Sequence, residues 1–166
     1  MAREYIILMR EVTVQPNPCT LVWFQTIQTI PSYPIAVMRA WCGQRTSTTS
    51  AQVGANLGTQ VTSFPTLTSQ APVKIKAGDP ASQLTGGTSG AAGTSGINAS
   101  AEGAGTKSFI YAENFNILNG WLWVPTPDEI IVESAQATAH GFGLSLPAGP
   151  ASTTLWSAGL SIKELG

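Results

Sequence analysis

An all-β, antiparallel β-sandwich is what this sequence predicts, and three observations predict it. Period-2 alternation of apolar and small or polar residues recurs along the chain. Helical periodicity is nearly absent, and no stretch of about 10–15 residues reads as a crossover helix, which argues against a parallel α/β sheet. Turn signals rich in Pro, Gly and Asn divide the chain into about eight to ten short strands, the pattern of a β-sandwich or jelly roll. The expected fold is therefore a jelly-roll-like antiparallel sandwich carrying a long Gly/Ser/Thr-rich loop.

The clearest strand is the last. Between Thr154 and Glu164, Trp156, Ala158, Leu160 and Ile162 fall on one face, with Ser157, Gly159, Ser161 and Lys163 on the other. His140, Phe142, Leu144 and Leu146 alternate with Ala139, Gly141, Gly143 and Ser145 in the same way. At the start, Ile6, Leu8, Val12 and Val14 are expected to line one face, which Arg10 interrupts. Further strands are expected over 21–27, 35–44, 51–58, 73–76, 108–112, 120–124 and 129–134. The turns expected between strands include Gln15-Pro16-Asn17-Pro18, Pro31-Ser32-Tyr33-Pro34, Asn119-Gly120, Pro125-Thr126-Pro127-Asp128 and Pro147-Ala148-Gly149-Pro150.

The length suits a single domain over 1–166. Within it, 84–106 reads LTGGTSGAAGTSGINASAEGAGT and carries one charge, Glu102. Such a composition buries little apolar area to offset the entropy of ordering. The segment is expected to be a loop, or an arm that orders against a neighbouring subunit. Its candidate contact residues are Thr85, Gly86, Gly87, Thr88, Gly90, Gly93, Gly96, Asn98, Gly103 and Gly105.

Charge narrows the function. Charged residues make up 10% of the chain and the net charge is −1, whereas soluble proteins carry about 25%. A surface so poor in charge favours association with other protein. The eight Lys and Arg residues are scattered, which argues against nucleic acid as a partner. No run approaches the ~18 apolar residues of a membrane span, and the Tyr5–Met9 stretch is too short for a signal-peptide core. Membrane is therefore not an expected partner. Cys19 and Cys42 allow at most one bridge, and Cys42, beside Trp41, reads as a small core residue.

Catalytic motifs are weak. Gly103-Ala104-Gly105-Thr106-Lys107-Ser108 puts Thr106 where a phosphate loop requires glycine. His140 is the only histidine and reads as a structural residue, since no G-x-S-x-G elbow is present. Asp128 and Glu129, adjacent on an extended chain, point to opposite faces and cannot flank one bond; Asp128 is expected to cap its turn. One His, two distant Cys and scattered acids offer no metal-ligand spacing. The chain is expected to be non-enzymatic and to need no cofactor. Of Trp23, Trp41, Trp121, Trp123 and Trp156, the pair Trp121 and Trp123 is the best candidate for a sugar platform. Core or interface packing is the expected role for all five.

Several passages taken together resemble small virion proteins of tailed bacteriophages. Arg39-Ala40-Trp41-Cys42-Gly43-Gln44 runs into Thr48-Thr49-Ser50-Ala51-Gln52, followed by Gly78-Asp79-Pro80-Ala81-Ser82 and the Gly/Ser/Thr-rich excursion. Glu113-Asn114-Phe115-Asn116 then leads to Gly120-Trp121 and Pro125-Thr126-Pro127-Asp128-Glu129, and the chain closes on Leu160-Ser161-Ile162-Lys163-Glu164-Leu165-Gly166. The resemblance covers most of the chain and brings no site residues with it. It implies a jelly-roll-like structural protein made in the host cytoplasm and carried on the virion. The expected role is capsid decoration, or cement, with the major capsid protein and copies of itself as partners, in a trimer or other cyclic homo-oligomer. The alternative expectations are a sugar-binding tail-spike or adhesin-type module and a head-tail structural component.

Overall fold

The computed structural model describes residues 2–26, 33–88, 91–134 and 139–166. In chain order the strands are β1 (Arg3–Val14), β2 (Cys19–Thr26), β3 (Ile35–Gln44), β4 (Gln52–Val61), β5 (Thr66–Ser69), β6 (Val73–Lys74) and β7 (Thr85–Gly86). There follow β8 (Thr94–Ala101), β9 (Thr106–Asn116), β10 (Trp121–Trp123), a 3-10 turn (Pro127–Glu129), β11 (Ile131–Glu133), β12 (His140–Leu146) and β13 (Thr154–Glu164). They form two sheets packed face to face. One runs β10-β3-β13-β1-β6, with β11 also on β3; the other runs β5-β8-β2-β12-β4-β9, with β7 on β8.

The pairing is that of a long hairpin wound on itself. β1 pairs with β13, β2 with β12, β3 with β10 and β11, and β4 with β9, all antiparallel. Successive rungs of this hairpin go to alternate sheets, which makes the domain a jelly roll. The segment holding β5 to β8 is an insertion between β4 and β9.

One core lies between the sheets. Tyr5, Ile7, Met9, Leu21, Phe24, Ile35, Leu57, Phe142, Leu144, Trp156, Leu160 and Ile162 are fully buried in it. The expected face of β13 is the core face, and Phe142, Leu144 and Leu146 of β12 meet it from the other sheet. Phe115 and Trp156 meet in a T-shaped contact, with the rings 6.4 Å apart at 86°, a favourable quadrupole geometry.

The first strand departs from expectation. Tyr5, Ile7 and Met9 face the core, while Ile6 and Leu8 lie on the outer side. A bulge between Met9 and Val12, with Glu11 at φ 50°, inserts one residue and returns Val14 to the interior. Arg10 marks this bulge. A single extra residue inverts the side-chain parity of a strand, so one face cannot hold Ile6, Leu8, Val12 and Val14 together.

The larger correction concerns 84–106, whose described residues do not form a free loop. Leu84 is buried, Thr85 and Gly86 form β7, and Thr94–Ala101 is β8, paired on one side with β2 and on the other with β5. Among the remaining predicted turns and strands, Ile27, Pro31 and Ser32 lie outside the described residues.

Candidate interaction surface

The described residues among those expected to make a contact arm are held by this domain. Gly96 and Asn98 are in β8, and Ile97 beside them is buried. Gly93 precedes β8, and its carbonyl accepts the Thr85 N–H at 2.9 Å. Gly87 donates its N–H to the Ser95 carbonyl at 3.0 Å, and the Thr88 carbonyl accepts from the Leu67 N–H at 2.6 Å. Gly90 lies outside the described residues. Gly103 and Gly105 shape the turn into β9. A Cβ on Gly105 would stand 1.7 Å from the Thr62 carbonyl oxygen, so glycine is required by close approach of two backbones. The small residues mark crowded backbone, and an expectation built on their lack of apolar area missed this.

Glu102 pins the end of the segment. Its carboxylate accepts the Thr20 N–H at 2.5 Å, the Thr20 hydroxyl at 2.6 Å and the Lys107 ammonium at 2.5 Å. Gln60 donates its side-chain N–H to the Glu102 carbonyl at 3.2 Å and to the Ser63 carbonyl at 2.8 Å. The insertion is thus bonded to β2 and β4.

The open side of the sandwich lies elsewhere. β9 ends one sheet and β10 and β11 lie along the edge of the other. Phe109, Ile110, Leu122, Val124 and Val132 on or beside these strands are 50–62% exposed. A bulge in β9 opposite Leu57 and Gly58 disturbs its alternation, so Phe109, Ile110 and Tyr111 are exposed in succession. An edge strand leaves backbone donors and acceptors unpaired, and apolar side chains on it invite association.

Between these two edges sits an aromatic cleft. Trp121 and Trp123 share a face of β10, as expected, but it is the inward face: Trp121 is buried and Trp123 half-buried. The Tyr111 ring of β9 lies 6.3 Å from Trp121 and 6.2 Å from Trp123. Glu113 accepts the Tyr111 hydroxyl at 2.9 Å and the Trp121 indole N–H at 3.0 Å. These two hydrogen bonds, Trp121's the larger influence, hold the Glu113 carboxyl below its ordinary range. The Tyr111 phenol is pushed up, chiefly by its bond to Glu113, with burial and the charges of Glu113 and Glu129 adding.

Trp23 and Trp156 are buried, and Trp41 is half-buried on the outer face. Trp41 lies flat on Gly159, where a Cβ would come within 2.1 Å of the indole, and Arg39 sits 4.9 Å from the ring centroid. His140 Nδ1 stands 2.9 Å from Glu133 Oε2, joining β12 to β11 across the sheets. Asp128 is not the turn cap: Glu129 accepts the Thr126 hydroxyl at 2.9 Å and its N–H at 3.4 Å. The longer Glu129 side chain reaches back three residues, as in a capping box. Cys19 and Cys42 are free and buried. Among the described residues no helix is long and apolar enough to cross a membrane.

Comparison with protein-family models, curated proteins and solved structures finds no match to this chain.

Proposed function

We propose that the chain is a structural subunit of a larger protein assembly, acting as a capsid decoration or cement protein of a tailed bacteriophage. The observation that carries the assembly role is the open side of the jelly roll, where Phe109, Ile110, Leu122, Val124 and Val132 stand exposed on or beside strands that lie, among the described residues, at the sheet edges. A chain with 10% charged residues has little surface charge with which to keep such a side in solvent. Copies of the subunit cover this side in one another, in a cyclic oligomer, and the oligomer rests on a capsid lattice. Many modest contacts to the lattice then add through avidity. The bacteriophage setting comes from the sequence resemblance.

Light scattering of the purified protein tests the first step, and a copy-number inventory of intact particles tests the second. The expected results are a defined oligomer at micromolar concentration and hundreds of copies per particle. A monomer of 17.3 kDa that does not associate sinks the assembly reading; a dozen or fewer copies moves the protein to a head-tail structure.

A second reading, a sugar-binding tail-spike or adhesin-type module, is favoured by Trp41. Its ring borders a shallow groove of about 410 Å³ on the outer sheet face, lined also by Gln44, Arg45, Asn119 and Ser157. Trp41, packed on Gly159 and with Arg39 over its ring, is bordered in this groove by amide, guanidinium and hydroxyl groups that can hydrogen-bond a sugar. Loss of glycan-array binding in Trp41→Ala supports this reading; no binding by the wild type removes it.

A further inference from the structure

We propose that the cleft between β9 and β10 is a binding site for an organic cation, of the kind carried by a guanidinium side chain or a trimethylammonium headgroup. The cleft has a volume of about 310 Å³ and is lined by Ile110, Tyr111, Trp123, Glu129 and Ile131. That is the lower end of the ~300–1,000 Å³ range of small-ligand sites.

The chemistry of the lining is one-sided. The Tyr111 hydroxyl is spent on Glu113, and so is the indole N–H of Trp121 behind it. The Trp123 indole N–H is left as the one side-chain donor on the lining among the described residues. Against it stand the carboxylate of Glu129 on the lining, which also accepts from Thr126, and that of Glu113, bonded to the lining Tyr111, both acceptors only. No lysine or arginine among the described residues is ion-paired with either one. The Tyr111 and Trp123 rings, 6.2 Å apart at 51° to one another, both border the cleft. Aromatic faces are the negative side of a ring quadrupole, and a cation seated against this aromatic lining is attracted by the rings as well as by the carboxylates.

A sugar is the weaker fit at this position. It presents hydroxyls that both donate and accept, and the lining offers almost no donors. A small, hard cation such as sodium would have to shed water for aromatic faces that cannot replace its oxygen ligands. An alkylated or delocalised cation loses little hydration and keeps both attractions. Its source is either a free small molecule or headgroup, or an arginine of a neighbouring protein, and these share the recognition chemistry described.

The test uses the whole chain and reads the Trp123 indole N–H resonance by NMR. Choline chloride and N-acetyl-arginine amide are titrated against 3,3-dimethyl-1-butanol, the uncharged isostere of choline, at constant ionic strength. Saturable shifts with either cation are expected, with the neutral isostere at least about tenfold weaker, the equivalent of ~1.4 kcal/mol of charge-dependent attraction. The tighter of the two cations identifies the source. Glu113→Gln keeps an acceptor for Tyr111 and Trp121 and is expected to weaken cation binding about tenfold, with the fold unchanged. Equal binding of the neutral isostere, saturable binding of glucose or N-acetylglucosamine in place of the cations, or no saturable shift with either cation overturns the assignment. The isostere comparison is made on the wild type, so its outcome does not depend on a variant folding. Neither does it depend on the oligomeric state that tests the assembly role.

Discussion

Glu102 grips Thr20 with both carboxylate oxygens, one on the backbone N–H and one on the side-chain hydroxyl. The bond spans 82 residues of sequence. It joins the only charge of the Gly/Ser/Thr-rich segment to a strand buried along its whole length. Lys107 balances the charge from β9. Glu102→Ala would leave the Thr20 N–H without its acceptor and Lys107 without its partner. The expected loss is about 2–3 kcal/mol, the usual range for a charged hydrogen bond at a poorly solvated site. The urea midpoint measures it. The Arg45–Glu11 pair serves as the contrast, because both side chains are well exposed; Arg45→Ala is expected to change stability by less than about 0.5–1 kcal/mol. Equal effects of the two substitutions would show that the tether is a surface contact.

Trp156 is the central test of the core. Its ring is fully buried, its indole N–H donates to the Thr154 hydroxyl at 2.7 Å, and Phe115 meets it in a T-shaped contact. Trp156→Ala is expected to cost about 3–5 kcal/mol, through lost burial and the cavity left behind. This is a large part of the ~5–15 kcal/mol stability of a typical domain. The variant should be mostly insoluble or melt far lower. A melting point within a few degrees of the wild type would mean that the two sheets collapse around the gap.

These two residues also mark how far the chain could be read without its structure. Trp156 was legible because β13 alternates strictly and the core is a local consequence of that period. Glu102 was not, because its partner is remote in sequence and no local pattern encodes a long-range pairing. β8 was missed for a related reason: Thr94 to Ala101 has one large apolar residue, Ile97, and its small residues look like loop. They are small because other backbone lies against them; a Cβ on Gly96 would come within 2.9 Å of two carbonyl oxygens, those of Gly87 and Thr68. In β1 the alternation was visible, but the bulge at Arg10 and Glu11 leaves no signal strong enough to reverse parity on paper. The aromatic cleft was half legible. Trp121 and Trp123 were placed on one face of a strand, whereas Tyr111 and Glu113 join them only when β9 and β10 meet at the open side.

The cysteines give a pH prediction. Burial pushes both thiols from 9.0 to about 12, with the nearby Glu102 charge adding for Cys19. A thiol whose folded value is raised contributes stability that is fully present below about pH 9. That stability is lost as pH climbs from 9 toward 12, because the unfolded chain releases its protons first. Stability should therefore fall across this alkaline window, and less steeply in a Cys19→Ser, Cys42→Ala double variant. At pH 8 the folded protein should resist iodoacetamide, and both thiols should react once urea unfolds it. Rapid alkylation of either cysteine in the native state would contradict the burial described.

The last prediction separates folding from association at the open side. Phe109 is 52% exposed on β9, and Val73 is 56% exposed on β6, the edge strand at the opposite margin. A lysine at an exposed site away from caps and bonds usually alters stability by no more than about 0.5 kcal/mol. Both Phe109→Lys and Val73→Lys should then fold as the wild type does. Charge on an edge strand, however, opposes its pairing or burial against another subunit. If copies meet along β9 and β10, Phe109→Lys dissociates the oligomer, whereas Val73→Lys leaves it intact. Leu122→Lys, on the facing edge, should behave like Phe109→Lys. Sedimentation or light scattering reads the assembly, and thermal melting reads the fold. Dissociation by Val73→Lys alone would move the interface to the β6 margin, and an oligomer unaffected by all three substitutions would place the contact on a sheet face, with the exposed row at β9 left to meet a different protein.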